Sequence, residues 1–211
     1  MTGAFITVEG IEGVGKSTNL AYMKERLIAD GQRVVVTREP GGTELGELIR
    51  QWILEEDHER ASPEVEVLLM FAARAQHLDE VIRPALEEGA WILCDRFTDA
   101  TIAYQGGGRG VSMAMIDDLK RNVQQGLEPD LTLLFDASVE IGFSRIADRA
   151  ADNFEREEIT FYENVRSWYL ALADRYPDRI KRIDASESLR IVRQQLDQEL
   201  DHLRNRLAVN G

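Results

Sequence analysis

The sequence predicts a three-layer α/β fold, with a five-stranded parallel sheet flanked on both faces by helices. Three observations predict it. Short apolar runs alternate with longer amphipathic ones, the order that a parallel sheet with crossover helices requires. A glycine-rich loop ending in Lys-Ser lies between the first strand and the first helix. The third is size: 211 residues, 44% of them hydrophobic, can bury one core. No internal repeat, low-complexity tract or linker divides the chain, so residues 1–211 read as a single domain.

The first strand spans 4–9 and is followed by the loop 10–15. Residues 16–30 place Leu20, Met23 and Leu27 on one stripe, with Ala21 and Ile28 beside it, and Gly31 is a natural stop. Three consecutive valines mark a second strand at 33–37. Residues 44–56 and 63–88 are helical by period, with Pro84 expected to end or kink the latter near Arg83. A wholly apolar third strand covers 90–94. Residues 98–105 are expected to be helical, Gly106-Gly107-Gly108 to break the chain, and 112–125 to resume a helix capped by Ser112. The fourth strand is 130–135. Helices at 139–149 and 155–176 flank a charged, poorly patterned segment, and a mobile lid is expected at about 142–158. An edge-like fifth strand at 179–183 precedes the closing helix, 188–206.

With 38 acidic and 25 basic side chains the formal net charge is −13, which argues against general binding to nucleic acid or anionic membranes. An anionic ligand must therefore meet a local cluster of cations. The single cysteine, Cys94, cannot form an intramolecular disulfide or build a cysteine zinc site, which fits a reducing compartment, and it reads as an inert buried strand residue. The N-terminal residues lack the basic region of a secretory signal and no apolar run approaches a membrane span, so a cytoplasmic location is expected. His58, His77 and His202 are scattered, and neither a zinc site nor a catalytic histidine is expected. Trp52, Trp91 and Trp168 read as packing residues. Arg190, Arg193, Arg204 and Arg206, interspersed with acids, read as a solvated face.

Gly10-Ile11-Glu12-Gly13-Val14-Gly15-Lys16-Ser17 matches Gly-x4-Gly-Lys-Ser/Thr, and Thr18 follows. In such a loop the glycines let backbone N–H groups close around phosphate oxygens, and the following helix adds its positive end. Lys16 can reach the β- and γ-phosphates and Ser17 can ligate Mg²⁺. These features imply a nucleoside-triphosphate site. Neither Asn-Lys-x-Asp nor Asp-x-x-Gly, the elements of a loop-based GTPase, occurs in the chain.

Phosphoryl transfer gathers negative charge at the strand ends, where cations should lie. Arg38 follows the second strand and Arg96 the third, although either could form an ordinary surface salt bridge. Asp95 ends an apolar strand as a magnesium-holding carboxylate would, or it caps the next helix. Glu9 could sit near the metal or cap the loop. Phe71 and Arg74 project from one helix face, where a ring can stack on a base and a guanidinium can donate to its carbonyls, yet Phe71 also belongs to the apolar run Leu68-Leu69-Met70-Phe71 and by itself reads as core. Tyr104-Gln105 could read a sugar or base, or satisfy each other in packing.

Together with the phosphate loop, three strings carry a resemblance: Arg38-Glu39-Pro40-Gly41-Gly42-Thr43, Leu69-Met70-Phe71-Ala72-Ala73-Arg74-Ala75-Gln76-His77, and Asp95-Arg96-Phe97 followed by Ala103-Tyr104-Gln105-Gly106-Gly107-Gly108-Arg109-Gly110. In this order they resemble the bacterial thymidylate kinase family, P-loop nucleoside monophosphate kinases, over essentially the whole chain. The resemblance implies transfer of the γ-phosphate of ATP to dTMP, giving dTDP and ADP with Mg²⁺, as a step of dTTP biosynthesis. It implies that Gly10, Ile11, Glu12, Gly13, Val14, Gly15, Lys16, Ser17 and Thr18 bind ATP. Arg38 and Arg96 would hold the dTMP phosphate, Phe71 would stack on thymine and Arg74 donate to it. Pro40, Thr101, Tyr104 and Gln105 would complete the dTMP pocket, with Tyr104 crowding a ribose 2′-OH and Glu12 accepting from the 3′-OH. Ser17, Glu9 and Asp95 would organise the metal, and Lys16, Arg96, Arg149, Asp95 and Glu9 form the implied catalytic set. A homodimer is implied too, with Val65, Leu68 and Leu69 as a candidate stripe.

The resemblance departs at two places. Gly13 stands where the other branch of the family carries a loop arginine, so the missing charge should come from the lid. Related lids read Arg-Gly-x-x-Asp-Arg-Phe-Glu, whereas this chain has Arg149-Ala150-Ala151-Asp152-Asn153-Phe154-Glu155-Arg156, one residue shorter and with Asn153 in the usual arginine position. Arg149 is the first candidate for the lid charge, with Arg145 and Arg156 behind it. The alternatives are a kinase for another nucleoside monophosphate, or a nucleotide-binding regulator with impaired turnover.

Overall fold

A computed structural model describes residues 3–54, 61–146 and 156–210. Five strands, β1 (Ala4–Glu9), β2 (Val34–Arg38), β3 (Trp91–Asp95), β4 (Leu131–Asp136) and β5 (Ile180–Asp184), form one all-parallel sheet in the order β2-β3-β1-β4-β5. The helices are α1 (Lys16–Ala29), α2 (Glu44–Leu54), α3 (Pro63–His77), α4 (Arg83–Glu87), α5 (Thr98–Thr101), α6 (Met113–Gln124), α7 (Val139–Ser144), α8 (Arg156–Arg175) and α9 (Leu189–Asn210).

Strand alternation divides the core. Ala4, Ile6 and Val8 of β1 join Trp91 and Leu93 of β3 in the larger apolar cluster, with residues of α1, α8 and α9. Phe5, Ile92 and Cys94 face the other way, onto Leu78, Ile82 and Ala85. Two buried threonines interrupt this pattern: Thr7 and Thr132 bond each other at 2.7 Å, and Thr132 and Asp99 share the Arg179 guanidinium, with Arg179–Asp99 contacts of 2.6 and 2.9 Å.

Four strands begin and end one residue later than the apolar runs suggest, and the shift matters at the C-terminal edge. Arg38 pairs in register with Asp95, and Asp95 with Val8, so Arg38, Asp95 and Glu9 arrive together at the end of three adjacent strands. In a parallel sheet this is the edge where ligands bind.

Both breaker signals sit inside continuous helical chain, although the expected disturbance near Arg83 is present as a change of helix type. Pro84 does not end its helix: a π-helical turn, Leu78–Ile82, precedes it, Arg83 N–H reaches back five residues to Leu78 O, and Pro84 falls in the first turn of α4, where no amide donor is missed. Nor does the triple glycine break the chain. It lies inside a second π-helical segment, Ile102–Gly108, that extends α5. The reason is close packing: a Cβ on Gly107 would fall 2.2 Å from the Trp168 ring of α8, and one on Gly108 would fall 2.4 Å from the Phe161 ring. Ser112 does precede α6, but its side chain makes no capping bond. Most of the expected lid, residues 147–155, lies outside the described residues.

Replacing Gly107 by Ala is expected to lower stability by about 1–3 kcal/mol through overpacking against Trp168, read as a fall of several degrees in Tm; an unchanged Tm would show that α8 does not depend on that contact.

Candidate active site

The phosphate loop joins β1 to α1. Ile11 and Val14 are buried in the core, so they anchor the loop by side chain and offer ligand only backbone, while Ser17 and Thr18 are exposed at the start of α1. Gly13 has φ +75°, and a Cβ there would meet the Gly142 carbonyl oxygen of α7 at 1.9 Å. The contact is reciprocal, since a Cβ on Gly142 would lie 2.6 Å from Glu12 O. Loop and α7 thus touch backbone to backbone. Lys16 folds over its own loop, donating to Gly10 O at 2.9 Å and Ile11 O at 2.7 Å. Burial and the nearby Arg96 charge bring its pKa down to about 8, against the pull of Glu12, Asp95 and Glu9.

Glu12 is the hub of the site. One carboxylate oxygen accepts from Arg96 at 2.6 Å and the other from the Tyr104 hydroxyl at 2.7 Å, and the Arg96 guanidinium lies 4.6 Å from the Tyr104 ring centre. Although burial raises its pKa, Arg96, Lys16 and Tyr104 outweigh that and hold the carboxyl below the ordinary value. Arg96 takes φ +70°, a left-handed conformation costing about 1 kcal/mol or more for a residue with a Cβ. Its N–H donates to Val8 O at 2.9 Å, and its carbonyl accepts from the Cys94 thiol. Cys94 is buried, as expected, and burial pushes its pKa well up.

Glu9 is wholly buried, accepting from Phe97 N–H and from the Tyr169 hydroxyl of α8, both at 2.8 Å. Burial, seconded by the Asp99 charge, pushes its pKa up to about 7. Asp95 does not cap α5: Phe97 holds the cap position and no side-chain bond closes it. Instead, Asp95 Oδ1 is buried with no partner.

Arg38 is at the ligand edge and in a surface salt bridge at once, half exposed, with Glu47 at 2.7 Å, while Gly42 N–H donates to the same carboxylate. Ser17, Arg38, Glu47 and Asp95 line one cleft of about 580 Å³.

Deeper in the edge, Arg74 is 2% exposed. It donates to Glu39 at 2.6 Å and to Thr101 at 2.9 Å, and lies 4.6 and 4.8 Å from the ring centres of Phe71 and Phe97. Phe71 is 1% exposed and part of the core, as its apolar run suggests, yet it also forms the wall behind Arg74. Pro40 follows a cis peptide bond, and its carbonyl accepts from Arg50. Gln105 donates to Glu66 at 2.7 Å and leaves its own buried carbonyl oxygen unpaired.

Against this geometry, the model of one family, described as thymidylate kinase, matches residues 8–196. The chain belongs to the thymidylate kinase family. A thymidylate kinase of Pseudomonas putida is 54% identical over 198 residues, covering 93% of this chain and 94% of that one. One of Nitrosomonas europaea is 56% identical over 189 residues, covering 89% and 87%. The crystal structure of thymidylate kinase from Ehrlichia chaffeensis superposes with a TM-score of 0.77 at 32% identity, over 95% of this chain and 99% of that one. Membership makes the protein an ATP-dependent nucleoside monophosphate kinase.

A thymidylate kinase handling a triphosphate has use for a divalent ion, and the residues present fit one. Asp95 offers a buried oxygen without a partner, and Ser17 lines the same cleft. Among the described residues no group of three or more His, Cys, Asp or Glu could hold a metal, so nucleotide oxygens would have to complete the shell. Glu9 has both oxygens already bonded.

The structure therefore brings Glu9, Glu12, Lys16, Asp95, Arg96 and Tyr104 together at one point, and Phe71, Arg74 and Thr101 at another. Arg149 lies outside the described residues. Residues to which the sequence assigned no role also contact these groups: Tyr169, Glu47, Glu66, Glu39 and His77. His77, read there as scattered, is wholly buried against Glu39. Only Glu39 and His77 carried any signal, by lying inside the strings that hold Arg38 and Arg74.

The folded state holds a proton on Glu9 up to about pH 7, whereas an unfolded chain releases it near 4.5, so between these values the native state binds more protons and stability falls as pH rises. Glu9→Gln removes this term. The Tm of the variant relative to the parent is expected to climb as pH goes from about 5 to about 8; a constant difference across that range would contradict a proton held on Glu9.

Proposed function

We propose that the protein transfers the γ-phosphoryl group of ATP to dTMP, giving dTDP and ADP. The observation that supports this most is Glu12, which belongs to the triphosphate-binding loop and yet bonds both Arg96 and Tyr104 of the opposite wall. Donor and acceptor cradles therefore share a residue, which is what direct transfer between two nucleotides needs.

The backbone amides of Gly10, Ile11, Glu12, Gly13, Val14 and Gly15 hold the β- and γ-phosphates, with Ser17 and Thr18 at the helix end, and Lys16 swings from its loop carbonyls onto them. Arg38 and Arg96 hold the acceptor phosphate. Phe71 stacks on thymine, and Arg74, whose Nη1 has no protein partner, donates to a base carbonyl. Pro40, Thr101, Tyr104 and Gln105 line base and deoxyribose, Tyr104 fills the space of a 2′-OH, and Glu12 accepts from the 3′-OH. An oxygen of the dTMP phosphate attacks the γ-phosphorus as its bond to the β-phosphate oxygen breaks, and that oxygen keeps the electron pair. No covalent intermediate with the protein is needed, so catalysis is positioning plus charge stabilisation. Ser17 and Asp95 would hold Mg²⁺, which neutralises charge on the phosphate oxygens; Glu9 would act by its buried position beside Arg96. Arg149 would supply the lid charge that Gly13 does not.

We also propose a cytoplasmic homodimer. Val65 and Leu68 of α3 are 44% and 48% exposed, Leu69 is half-buried, and Leu45 and Leu48 of α2, which packs on α3, are exposed as well, apolar side chains that a second copy would cover. No helix among the described residues is long and apolar enough to cross a membrane.

ADP release is expected to require an acceptor and to be much weaker with dGMP, AMP or UMP than with dTMP; release independent of any acceptor, or faster with another monophosphate, would overturn the substrate assignment. Arg149→Ala is expected to cut kcat roughly a hundredfold or more while changing the KM for dTMP far less, and equal turnover would remove Arg149 from the mechanism. In sedimentation, the parent is expected at twice the chain mass and Leu68→Asp at the monomer mass; a monomeric parent would end the dimer proposal.

A further inference from the structure

A guanidinium buried as deeply as Arg74 has to be oriented by partners, and the partners form a chain that starts outside the base pocket. Glu39 receives Arg74 Nε on one oxygen at 2.6 Å and His77 Nδ1 on the other at 2.9 Å. A carboxylate can only accept, so Nδ1 carries the proton. On the far side of the imidazole, Nε2 lies 2.6 Å from the Thr37 hydroxyl of β2. Arg74 and His77 stand three apart on α3, on one face, and a single carboxylate spans both.

The carboxylate and the imidazole are enclosed, while half-buried Thr37 at the far end lines the cleft. Glu39 and His77 are 5% and 0% exposed, and the Glu39 amide is tied to Asp95 O at 2.9 Å. Gly42 closes over the imidazole so tightly that a Cβ there would fall 2.6 Å from both His77 Nε2 and Thr37 Oγ1. Arg74 is left with its guanidinium over the rings of Phe71 and Phe97, its Nε bound to Glu39, its Nη2 bound to Thr101, and one group without a protein partner, Nη1.

We propose that Glu39 and His77 are positioning residues for nucleotide selection: they hold Arg74 so that Nη1 presents its donors to the base in one direction. The proposal rests on the reading of Arg74 as the base-binding cation. A hydrogen bond from a preset donor costs no reorientation when the nucleotide arrives, whereas a guanidinium held by Thr101 alone must be ordered at that moment. Glu39 is also chained to Arg38, which faces the acceptor phosphate, so one loop sets the grip on both ends of dTMP.

The test is steady-state kinetics on the full chain, varying dTMP and ATP in turn, with E39Q, H77N, R74A and the double variant E39Q/R74A. R74A is expected to raise the KM for dTMP roughly tenfold or more, and E39Q roughly five- to tenfold with kcat and the KM for ATP within about threefold of the parent. In the R74A background E39Q is expected to add less than about twofold, because the group it acts through is gone. H77N, which leaves the Glu39 charge in place, should move the same constant in the same direction by a smaller factor. An unchanged KM for dTMP in R74A removes the base-reading role and the proposal with it. A raised KM in R74A with no effect of E39Q or H77N, or with the E39Q factor multiplying in full on R74A, overturns the positioning role alone. If E39Q does not fold, H77N and H77N/R74A decide by the same criterion.

Discussion

Three arginines at or near the ligand edge of the sheet, Arg38, Arg74 and Arg96, rest against three glutamates, Glu47, Glu39 and Glu12. A chain with net charge −13 that binds polyphosphates has to concentrate positive charge where most of its surface is negative, and cations kept close together repel one another unless anions stand between them. Each glutamate meets that constraint and also fixes a direction. The arrangement is strained where the demand is greatest, at Arg96, whose left-handed backbone is held by Val8 and by Glu12.

Much of this was legible in the sequence, because the signals concerned were local. The phosphate loop declares itself by spacing, and the strands by short apolar runs, one of them three consecutive valines. What the sequence did not disclose is long-range: that Glu9 meets Tyr169, 160 positions away, or that Glu39 meets Arg74 and His77. A glutamate inside a helix, such as Glu47 or Glu66, has the same local pattern whether it faces solvent or an arginine. The misread breakers have the same origin. Gly106-Gly107-Gly108 looks like an interruption in one dimension, but its meaning lies in the Trp168 and Phe161 rings of another helix, and Pro84 was absorbed by a wider turn placed just before it. Phe71 follows its apolar run into the core and also carries the Arg74 guanidinium over its ring.

Helix α8 ties these parts into one body. Its Tyr169 holds Glu9 beneath the phosphate loop, its Phe161 and Trp168 occupy the hollow left by the glycines, and Phe161, Tyr162 and Tyr169 make edge contacts with Tyr104. A ring at Tyr104 thus touches the chain on either side of the pocket.

The backbone contact between Gly13 and Gly142 limits what the phosphate loop can carry. An arginine side chain grafted at position 13 would collide with α7 before it could point at a phosphate, and the left-handed φ there would resist it as well. Position 13 is therefore reserved for the smallest residue for as long as α7 stays seated, and any cation required at that spot has to be delivered from another segment.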